Sequence, residues 1–269
     1  MKLKDKVVVV TGGAQGIGKA LCERFHAEGA KAIAVADIKY EPAQEVARTV
    51  GGQAYRCDVA DTSEIMRVID DIEARFGPIA LFCSNAGVAD FSASPNNAAS
   101  APDSAWNRSW AINVMAHVYA ARILVPRMIE RGGGYFLNTV SAAGLLSQVG
   151  NAIYSTTKHA AVGFAENLAI SHYDQGIRVS ILCPQGVDTQ MLNSAPLGPQ
   201  SLDGVLSPAD VADSAVQGLE REAFLILPHA QVADYMKVKA EDYQRWLRGM
   251  VKLNRQMPAR PYIENPATM

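Results

Sequence analysis

The fold is decided near the amino terminus, where residues 7–18 read VVVVTGGAQGIG. Four consecutive valines predict a strand that is buried on both faces of a sheet. Gly12, Gly16 and Gly18 then fall where this strand turns into a helix. Glycine permits a tight turn and close approach of the backbone to a phosphate, which the free N–H groups of a helix N-terminus can bind. Many strand–helix junctions need glycine for geometry alone, so this loop is only part of the argument.

Segments typical of strands and helices alternate along the rest of the chain. Strands are predicted at residues 6–11, 32–36, 54–59, 79–84, 134–140, 178–183 and 224–227. Helices are predicted at residues 16–28, 41–50, 62–76, 104–131, 152–173 and 209–221. Loops are expected at 91–103 and 188–207, where they would cover a ligand. This alternation predicts an α/β fold with a doubly wound parallel sheet of about seven strands.

Composition supports one globular unit and excludes several classes of protein. The chain has 269 residues, of which 49 % are hydrophobic and 19 % charged. We expect one domain over residues 1–269, with a core at 3–227 and a helical extension at 228–269. The net charge of −2 gives no general attraction to nucleic acid. With no secretory signal and no run of 18–20 apolar residues, a cytoplasmic protein is expected and a membrane partner is unlikely.

Cysteine spacing argues against both a disulfide and a metal site. Cys22, Cys57, Cys83 and Cys183 are far apart, with no C-x-x-C pair and no histidine cluster. Reduced, buried thiols are therefore favoured, and no metal is expected.

Asp37 ends the second predicted strand, about 20 residues after the glycine loop. A carboxylate at this place can accept hydrogen bonds from the ribose hydroxyls of a dinucleotide, and it would repel a 2′-phosphate. No arginine or lysine occupies positions 14, 15 or 38, although Lys39 is close by. The sequence therefore favours NAD over NADP, unless Asp37 is simply a turn residue at a strand end.

A second motif lies downstream at residues 154–158, which read YSTTK. Tyr154 and Lys158 are four residues apart and share one face of a predicted helix, where the ammonium would lower the pKa of the phenol. Ser141, at the end of the fifth strand, can hold a substrate oxygen. A Tyr-x-x-x-Lys match alone also fits an ordinary surface pair. Together with the glycine loop, it indicates hydride transfer between a nicotinamide and a carbinol carbon.

With these motifs the chain resembles the short-chain dehydrogenase/reductase family of the NAD(P)-binding Rossmann type, over about residues 3–227. Besides the glycine loop and the Ser141, Tyr154 and Lys158 set, the resemblance rests on Asp58-Val59, Asn85-Ala86-Gly87, Asn113, and Pro184 through Thr189. It implies that Tyr154 is the general acid/base, that Lys158 lowers its pKa and binds the nicotinamide ribose, and that Ser141 orients the substrate. It also implies that Asn113 holds a water in a proton relay.

The remaining expectations concern the two ligands. The expected cofactor-binding residues are Gly12, Gln15, Gly16, Ile17, Gly18, Asp37, Ile38, Asp58, Val59, Asn85, Ala86, Gly87, Tyr154, Lys158, Pro184, Gly186, Val187 and Thr189. The expected substrate-binding residues are Ser141, Leu145, Gln148, Asn151, Tyr154, Gln185, Met191 and Leu192. Because these walls are largely apolar and carry no basic cluster, we expect an uncharged, hydrophobic substrate that is aromatic or alicyclic.

The sequence departs from the family pattern at several positions. Gln185 follows Pro184 where the family usually has glycine, Val140 precedes the serine, and Ser84 stands where a first asparagine is common. None of these removes a candidate catalytic group. The segment 231–256 replaces the usual carboxyl-terminal ending and is helical in its pattern. It would pack on its own domain or on a partner subunit, lie on a membrane surface, or form a lid over the substrate.

Three other functions remain open on these grounds. A redox-inactive NAD-binding sensor or scaffold would share the fold, as would an NADP-preferring carbonyl reductase. Non-redox chemistry such as dehalogenation is a third, but relatives of that type lose the lysine and the phosphate loop. The family resemblance also implies a homodimer or homotetramer that pairs through the helices at 104–131 and 152–173.

Overall fold

Seven strands run parallel in one sheet, within the residues 1–94, 97–195 and 198–257 that the computed structural model describes. The strands are β1 (Val7–Thr11), β2 (Ala32–Asp37), β3 (Gln53–Arg56), β4 (Ile79–Ser84), β5 (Gly134–Thr139), β6 (Ile177–Leu182) and β7 (Leu225–Ile226). Their order across the sheet is β3-β2-β1-β4-β5-β6-β7. The chain builds outward from β1 in one direction and from β4 in the other, which leaves a crevice at their carboxyl ends.

Helices cover both faces of the sheet. They are α1 (Gly16–Ala27), α2 (Tyr40–Thr49), α3 (Thr62–Phe76), α4 (Asp103–Trp110), α5 (Ala116–Glu130), α6 (Ala152–His172), α7 (Gln190–Asn193), α8 (Pro208–Glu220), α9 (Gln231–Glu241) and α10 (Tyr243–Gln256). One buried core lies between the sheet and α3, α5 and α6, and the other lies between the sheet and α1, α2 and α8. The predicted single α/β domain with a doubly wound parallel sheet is confirmed.

The predicted helix at 104–131 is interrupted by one irregular turn. Between α4 and α5 the residues Ala111–Met115 form a π-helical turn, and the buried Asn113 lies within it. A π-helical turn adds one residue to a helix without changing the apolar pattern on either side, so this turn could not be predicted from that pattern. Such turns are frequent at functional sites, because the extra residue displaces a side chain from the regular helical face.

The third strand is shorter than the predicted 54–59. It ends at Arg56. The N–H of Cys57 still donates to the Asp37 carbonyl of β2 (2.9 Å), but beyond it the N–H of Asp58 donates to Glu64 (2.8 Å), and that of Ala60 donates to the Asp58 carboxylate (2.9 Å). The predicted loop at 188–207 is also more ordered than expected. It contains α7, a 3₁₀ turn at Pro199–Ser201, and a β-bridge between Val187 and Leu206.

The extension forms two helices rather than one continuous segment over 231–256. The break falls at Asp242, whose extended backbone ends α9 and whose carboxylate accepts a hydrogen bond from the N–H of Arg245 (2.8 Å) as the N-cap of α10. Residues 258–269 of the predicted extension, and Pro196 of the predicted loop, lie outside the described residues.

The four cysteines are buried and free, as predicted. Among the described parts of the chain, we find no group of three side chains placed to hold a metal ion. Over the same residues, the helices are too short or too polar to cross a membrane.

Candidate active site

One cavity of about 1100 Å³ opens at the carboxyl ends of β1, β2, β4, β5 and β6. Every residue that the sequence predicted for the cofactor contributes to its wall, from Gly12 through Thr189. Among the candidate catalytic residues, Ser141, Tyr154 and Lys158 also line it. The structure therefore brings the two motifs of the sequence, about 140 residues apart, to the same cleft.

The glycine loop has the geometry of a phosphate cradle. Gly12 and Gly16 have positive φ angles of 63° and 52°, a conformation that side chains other than glycine rarely adopt. The N-cap of α1, Gln15, makes no side-chain cap, and the first turn carries no acidic residue. The free N–H groups and the positive end of the helix dipole are thus left available for an anion.

Asp37 lies beside this loop with its carboxylate held in place. One oxygen accepts a hydrogen bond from the backbone N–H of Ala14 (3.0 Å), and the other accepts from that of Lys39 (2.9 Å). A carboxylate has about four acceptor sites, so both oxygens can still accept bonds from ribose hydroxyls. The ammonium of Lys39 lies near Gln15 and Gln190 at the exposed rim of the cavity.

Thr11 connects the segment Asn85-Ala86-Gly87 to the glycine loop through hydrogen bonds. Its hydroxyl accepts hydrogen bonds from the N–H groups of Asn85 (3.0 Å) and Ala86 (3.2 Å) and donates to the carbonyl of Cys83 (3.2 Å). The Asn85 amide donates in turn to the carbonyls of Thr11 (3.0 Å) and Gly12 (3.3 Å). The sequence analysis did not single out Thr11, although a threonine at the end of a buried strand is a signal for such a role.

Asn113 lies behind the cavity rather than on its wall. Its amide oxygen accepts from the N–H of Val88 (2.9 Å), and its amide nitrogen donates to the Val88 carbonyl (2.9 Å) and to Thr157 Oγ1 (3.1 Å). The π-helical turn is what turns this side chain toward α6 and the segment after β4. Asn113 therefore joins three elements around Lys158.

Burial dominates the electrostatics of Tyr154 and Lys158. Desolvation raises the pKa of the Tyr154 phenol, and the nearby Ser141 hydroxyl acts on this pKa in the opposite direction. Desolvation lowers the pKa of Lys158 to about 8. The lysine Nζ donates to the Thr139 carbonyl (3.1 Å) and lies 5.6 Å from the centre of the Tyr154 ring. In the protein alone, burial thus raises the pKa of the phenol, whereas the spacing to Lys158 had predicted that this pKa would be lowered.

Ser141 is placed by the turn that follows β5. Its hydroxyl accepts from the N–H of Ala143 (3.1 Å) and donates to the Pro184 carbonyl (3.4 Å). Asn151 caps α6 by accepting from the N–H of Tyr154 (3.0 Å), which orients the first turn of the helix. This capping role was not anticipated for Asn151, which the sequence predicted as a substrate contact and which also lines the cavity.

The segment from Pro184 to Thr189 is tied to the elements that cover the cavity. The N–H of Gly186 donates to the Gln200 carbonyl (2.7 Å), and the N–H of Gln185 donates to Nδ1 of the buried His229 (3.1 Å). His229 precedes α9 and was missed by the sequence analysis. Since Nδ1 accepts a hydrogen bond, the ring is neutral, in agreement with the pKa of His229, which burial lowers.

The outer half of the cavity is mostly apolar and is roofed by the extension. Its wall includes Phe91, Leu146, Met191, Leu192, Leu202, Tyr235, Val238, Trp246, Met250 and Leu253. Of the positions that the sequence left open for the extension, the structure therefore favours a lid over the cavity, formed by α9 and α10. Lys239 anchors α9 by donating to the carbonyls of Leu145 (2.7 Å) and Leu146 (3.1 Å).

Three features of this half differ from the sequence expectation. Leu145 does not line the cavity, because its side chain packs against the core beneath α5 and α6. Gln148 does line it, but its amide already donates to Gln200 (2.8 Å). Two guanidinium groups, those of Arg108 and Arg245, also reach the wall from exposed positions on α4 and α10.

Comparisons with known proteins agree with this geometry. A family model described as short chain dehydrogenase matches residues 6–199. The 1-deoxy-11-beta-hydroxypentalenate dehydrogenase of Streptomyces exfoliatus is 32 % identical over 253 residues, which cover 91 % of this chain and 90 % of the relative. The D-threitol dehydrogenase of Mycolicibacterium smegmatis is 32 % identical over 204 residues, which cover 74 % and 76 %.

A solved structure has the same fold. It is a short chain dehydrogenase/reductase from Burkholderia phymatum in complex with NAD, with a TM-score of 0.80 and 24 % identity, covering 98 % of this chain and 100 % of that one. The family model and the two curated relatives show the same relationship at the level of the amino-acid sequence. The chain belongs to the short-chain dehydrogenase family of oxidoreductases.

Proposed function

We propose that this protein is an NAD-dependent oxidoreductase that interconverts a secondary alcohol and the corresponding ketone. The observation that carries the proposal is the meeting of Ser141, Tyr154 and Lys158 with the glycine loop and Asp37 in one cavity. When bound, the nicotinamide would supply the hydride acceptor or donor. The residues of this chain would supply binding, orientation and proton transfer.

The proton chemistry follows from the position of each side chain. For alcohol oxidation, Tyr154 Oη accepts the proton of the substrate hydroxyl, and Ser141 Oγ holds the same oxygen by a hydrogen bond. Because burial raises the pKa of the phenol, the Tyr154 side chain is protonated in the protein without cofactor. The positive charges of Lys158 and of an oxidised nicotinamide would both favour the phenolate. Ketone reduction uses the same groups in reverse, with Tyr154 donating the proton.

The substrate that fits the outer half of the cavity is an uncharged hydrophobic molecule, aromatic or alicyclic. Apolar side chains from the loop after β6 and from both lid helices would exclude water from it. Arg108 and Arg245 are exposed, where water screens their charge and weakens the attraction for a substrate carboxylate. A panel of secondary alcohols tests the proposal through formation of NADH. Alicyclic alcohols should exceed small hydroxy acids in kcat/KM, and the reverse order would overturn the substrate class.

Truncation of Trp246 in the lid should selectively impair bulky substrates. Trp246 lines the cavity, so Trp246→Ala removes apolar contact area and should raise KM for a bulky alicyclic alcohol about tenfold. Leu247→Ala, on the exposed side of the same helix, is the matched control and should leave KM unchanged. Equal effects of the two substitutions on KM would contradict a lid that contacts substrate.

Removal of the charge on Asp37 should relax the preference for NAD. Asp37→Asn replaces the carboxylate with a neutral amide, which does not repel a 2′-phosphate. The ratio of kcat/KM with NADP to kcat/KM with NAD should therefore rise by about 10–100-fold. Lys39 at the cavity rim is the observation that favours an NADP-preferring enzyme instead. If the unaltered protein already prefers NADP, and Lys39→Gln abolishes that preference, the assignment of NAD is wrong.

We further propose a cytoplasmic homodimer or homotetramer that pairs through α4, α5 and α6. Large hydrophobic side chains are exposed on these helices, including Trp110 and Ile170, the latter 78 % exposed. The proposal rests on the pairing of these helices in the family, and such an assembly would cover these apolar side chains. Light scattering tests this directly, and a monomer at micromolar concentration would contradict it.

A further inference from the structure

A group of buried polar side chains lies behind the candidate catalytic residues. Ser84 and Asn138 are register partners at the ends of β4 and β5. Each comes two residues after a phenylalanine of the core on the α5 side, so both side chains point to that face of the sheet. His117, on α5, packs against the same face and is 2 % exposed.

These three side chains carry polar atoms that no described residue satisfies. They are the Ser84 hydroxyl, both ring nitrogens of His117 and the Asn138 amide nitrogen. The Asn138 amide and the Asn113 backbone carbonyl lie close to the imidazole, but neither makes a direct hydrogen bond of good geometry with it. Leaving a buried donor or acceptor unsatisfied costs about 1–3 kcal/mol, and native proteins usually avoid this cost with buried water.

Thr139 connects this polar group to Lys158, because it directly follows Asn138 in β5 and its carbonyl accepts a hydrogen bond from Lys158 Nζ (3.1 Å). Lys158 Nζ and Asn113 Oδ1 are also both close to Gly87, each 3.4 Å from a Cβ added there. His117 follows Asn113 by one helical turn, across the π-helical turn that alters the regular pairing of the backbone carbonyls there. Burial, and after it the charge of Lys158, lowers the pKa of His117 to about 3. The ring is therefore neutral at working pH, with one donor and one acceptor nitrogen.

We propose that His117, Asn138 and Ser84 bind buried water that solvates the ammonium of Lys158, and that they are positioning residues for the proton-transferring set. This inference rests on the proposed oxidoreductase function. It also answers a problem in the geometry, because the only described hydrogen bond of Lys158 Nζ is to the Thr139 carbonyl. An ammonium has three donors, and burial without further partners disfavours the charge on which Tyr154 depends.

The test compares His117→Leu with His117→Gln. Leucine is similar in size to histidine but lacks both ring nitrogens. Glutamine also lacks the ring, but its amide still offers a hydrogen-bond donor and an acceptor. In the protein without cofactor, NMR of lysines labelled at Cε gives the pKa of Lys158, with Lys158→Met identifying its signal. We expect His117→Leu to lower that pKa by about one unit below the value near 8, and His117→Gln to stay close to it.

Activity provides the second readout. Turnover that needs the ammonium persists below the pKa of Lys158 and is lost above it. The alkaline limb of the pH profile should therefore move down by about one unit in His117→Leu and stay in place in His117→Gln. The titratable groups that face this region are Tyr154, Lys158, His117 and Cys183. The thiol stays neutral across the range, because burial raises the pKa of Cys183 to about 12.

Each outcome decides the question. An unchanged pKa of Lys158 in His117→Leu, whatever its melting temperature, would show that His117 only fills space and would overturn the proposal. If that variant does not fold, Ser84→Ala removes a single hydroxyl, and the same readouts apply with a smaller shift in the same direction. If no alcohol is oxidised at all, the proposed function fails, but the NMR titration still tests the solvation of Lys158.

Discussion

Replacing Tyr154 with phenylalanine is expected to lower kcat about a thousandfold, which lies within the usual contribution of a positioned acid or base. The substitution removes one oxygen and keeps the ring that lies beside Lys158. The proton acceptor and at most one contact to the cofactor are lost, so the affinity for NAD should fall far less than kcat, and the melting temperature should change little. Steady-state kinetics with a turned-over alcohol and titration calorimetry with NAD are the measurements.

A matched control for this substitution is Tyr119→Phe. Tyr119 is a partly buried tyrosine of α5 that packs against the core and does not line the cavity. The same loss of an oxygen there should leave kcat unchanged. Full activity in Tyr154→Phe would refute the role assigned to this residue, and equal losses in both variants would indicate a general effect on the fold.

Substitution of Gly18 by alanine is expected to abolish detectable NAD binding. A Cβ at this position would overlap the carbonyl oxygen of Gly12 and lie 2.6 Å from the Asn85 amide nitrogen. The glycine loop and the segment after β4 would both have to move apart, which destroys the cradle that the α1 N-terminus completes. Overpacking of this kind usually costs about 1–3 kcal/mol, so the melting temperature should fall as well.

Gly163→Ala provides the corresponding control within a helix. Nothing lies within 4 Å of a Cβ added to Gly163, which is on α6 away from the cavity. Alanine favours a helix by about 1 kcal/mol over glycine, so this variant should fold and bind NAD normally. Gly163 lies on the same face of α6 as Ile170, so the control rests on NAD binding and not on the melting temperature, which the proposed pairing of α6 would also affect. Calorimetric binding and thermal melts compare the two variants. Normal NAD affinity in Gly18→Ala would contradict the proposed phosphate site.

The architecture could be predicted because its signals are local and repeated. Runs such as Val7–Val10 are long enough to identify a buried strand, and the alternation of strands with amphipathic helices leaves few other topologies. The order of the strands then brings the glycine loop and the YSTTK helix to the same edge of the sheet. For this reason the predicted cofactor residues all reach one cavity.

What the sequence did not reveal depends on single residues in three dimensions. The π-helical turn at Asn113 adds one residue without disturbing the apolar pattern, and the break at Asp242 depends on a cap inside a helical pattern. Leu145 and Leu146 are neighbours with similar side chains, yet only Leu146 lines the cavity. The choice between them is made by the short 3₁₀ turn after Ser141, which periodicity cannot resolve.

The electrostatics of the site were also beyond the sequence. Spacing alone indicated that Lys158 would lower the pKa of Tyr154, but in the folded protein burial raises the pKa of the phenol and lowers the pKa of the ammonium. Desolvation depends on everything packed around a residue, so it is known only from the folded protein. The buried imidazole of His117, which no motif marks, belongs to this same environment.

The central claim is that this cavity transfers hydride between a carbinol carbon and a nicotinamide while Tyr154 transfers the proton. It is tested most directly with a secondary alcohol that carries deuterium on its carbinol carbon. We predict that NMR will detect the deuterium on the nicotinamide ring of the reduced cofactor, in equal amount to the ketone formed, and that Tyr154→Phe will suppress both products together. If NAD binds but no alcohol of the panel transfers deuterium to it, the claim is contradicted.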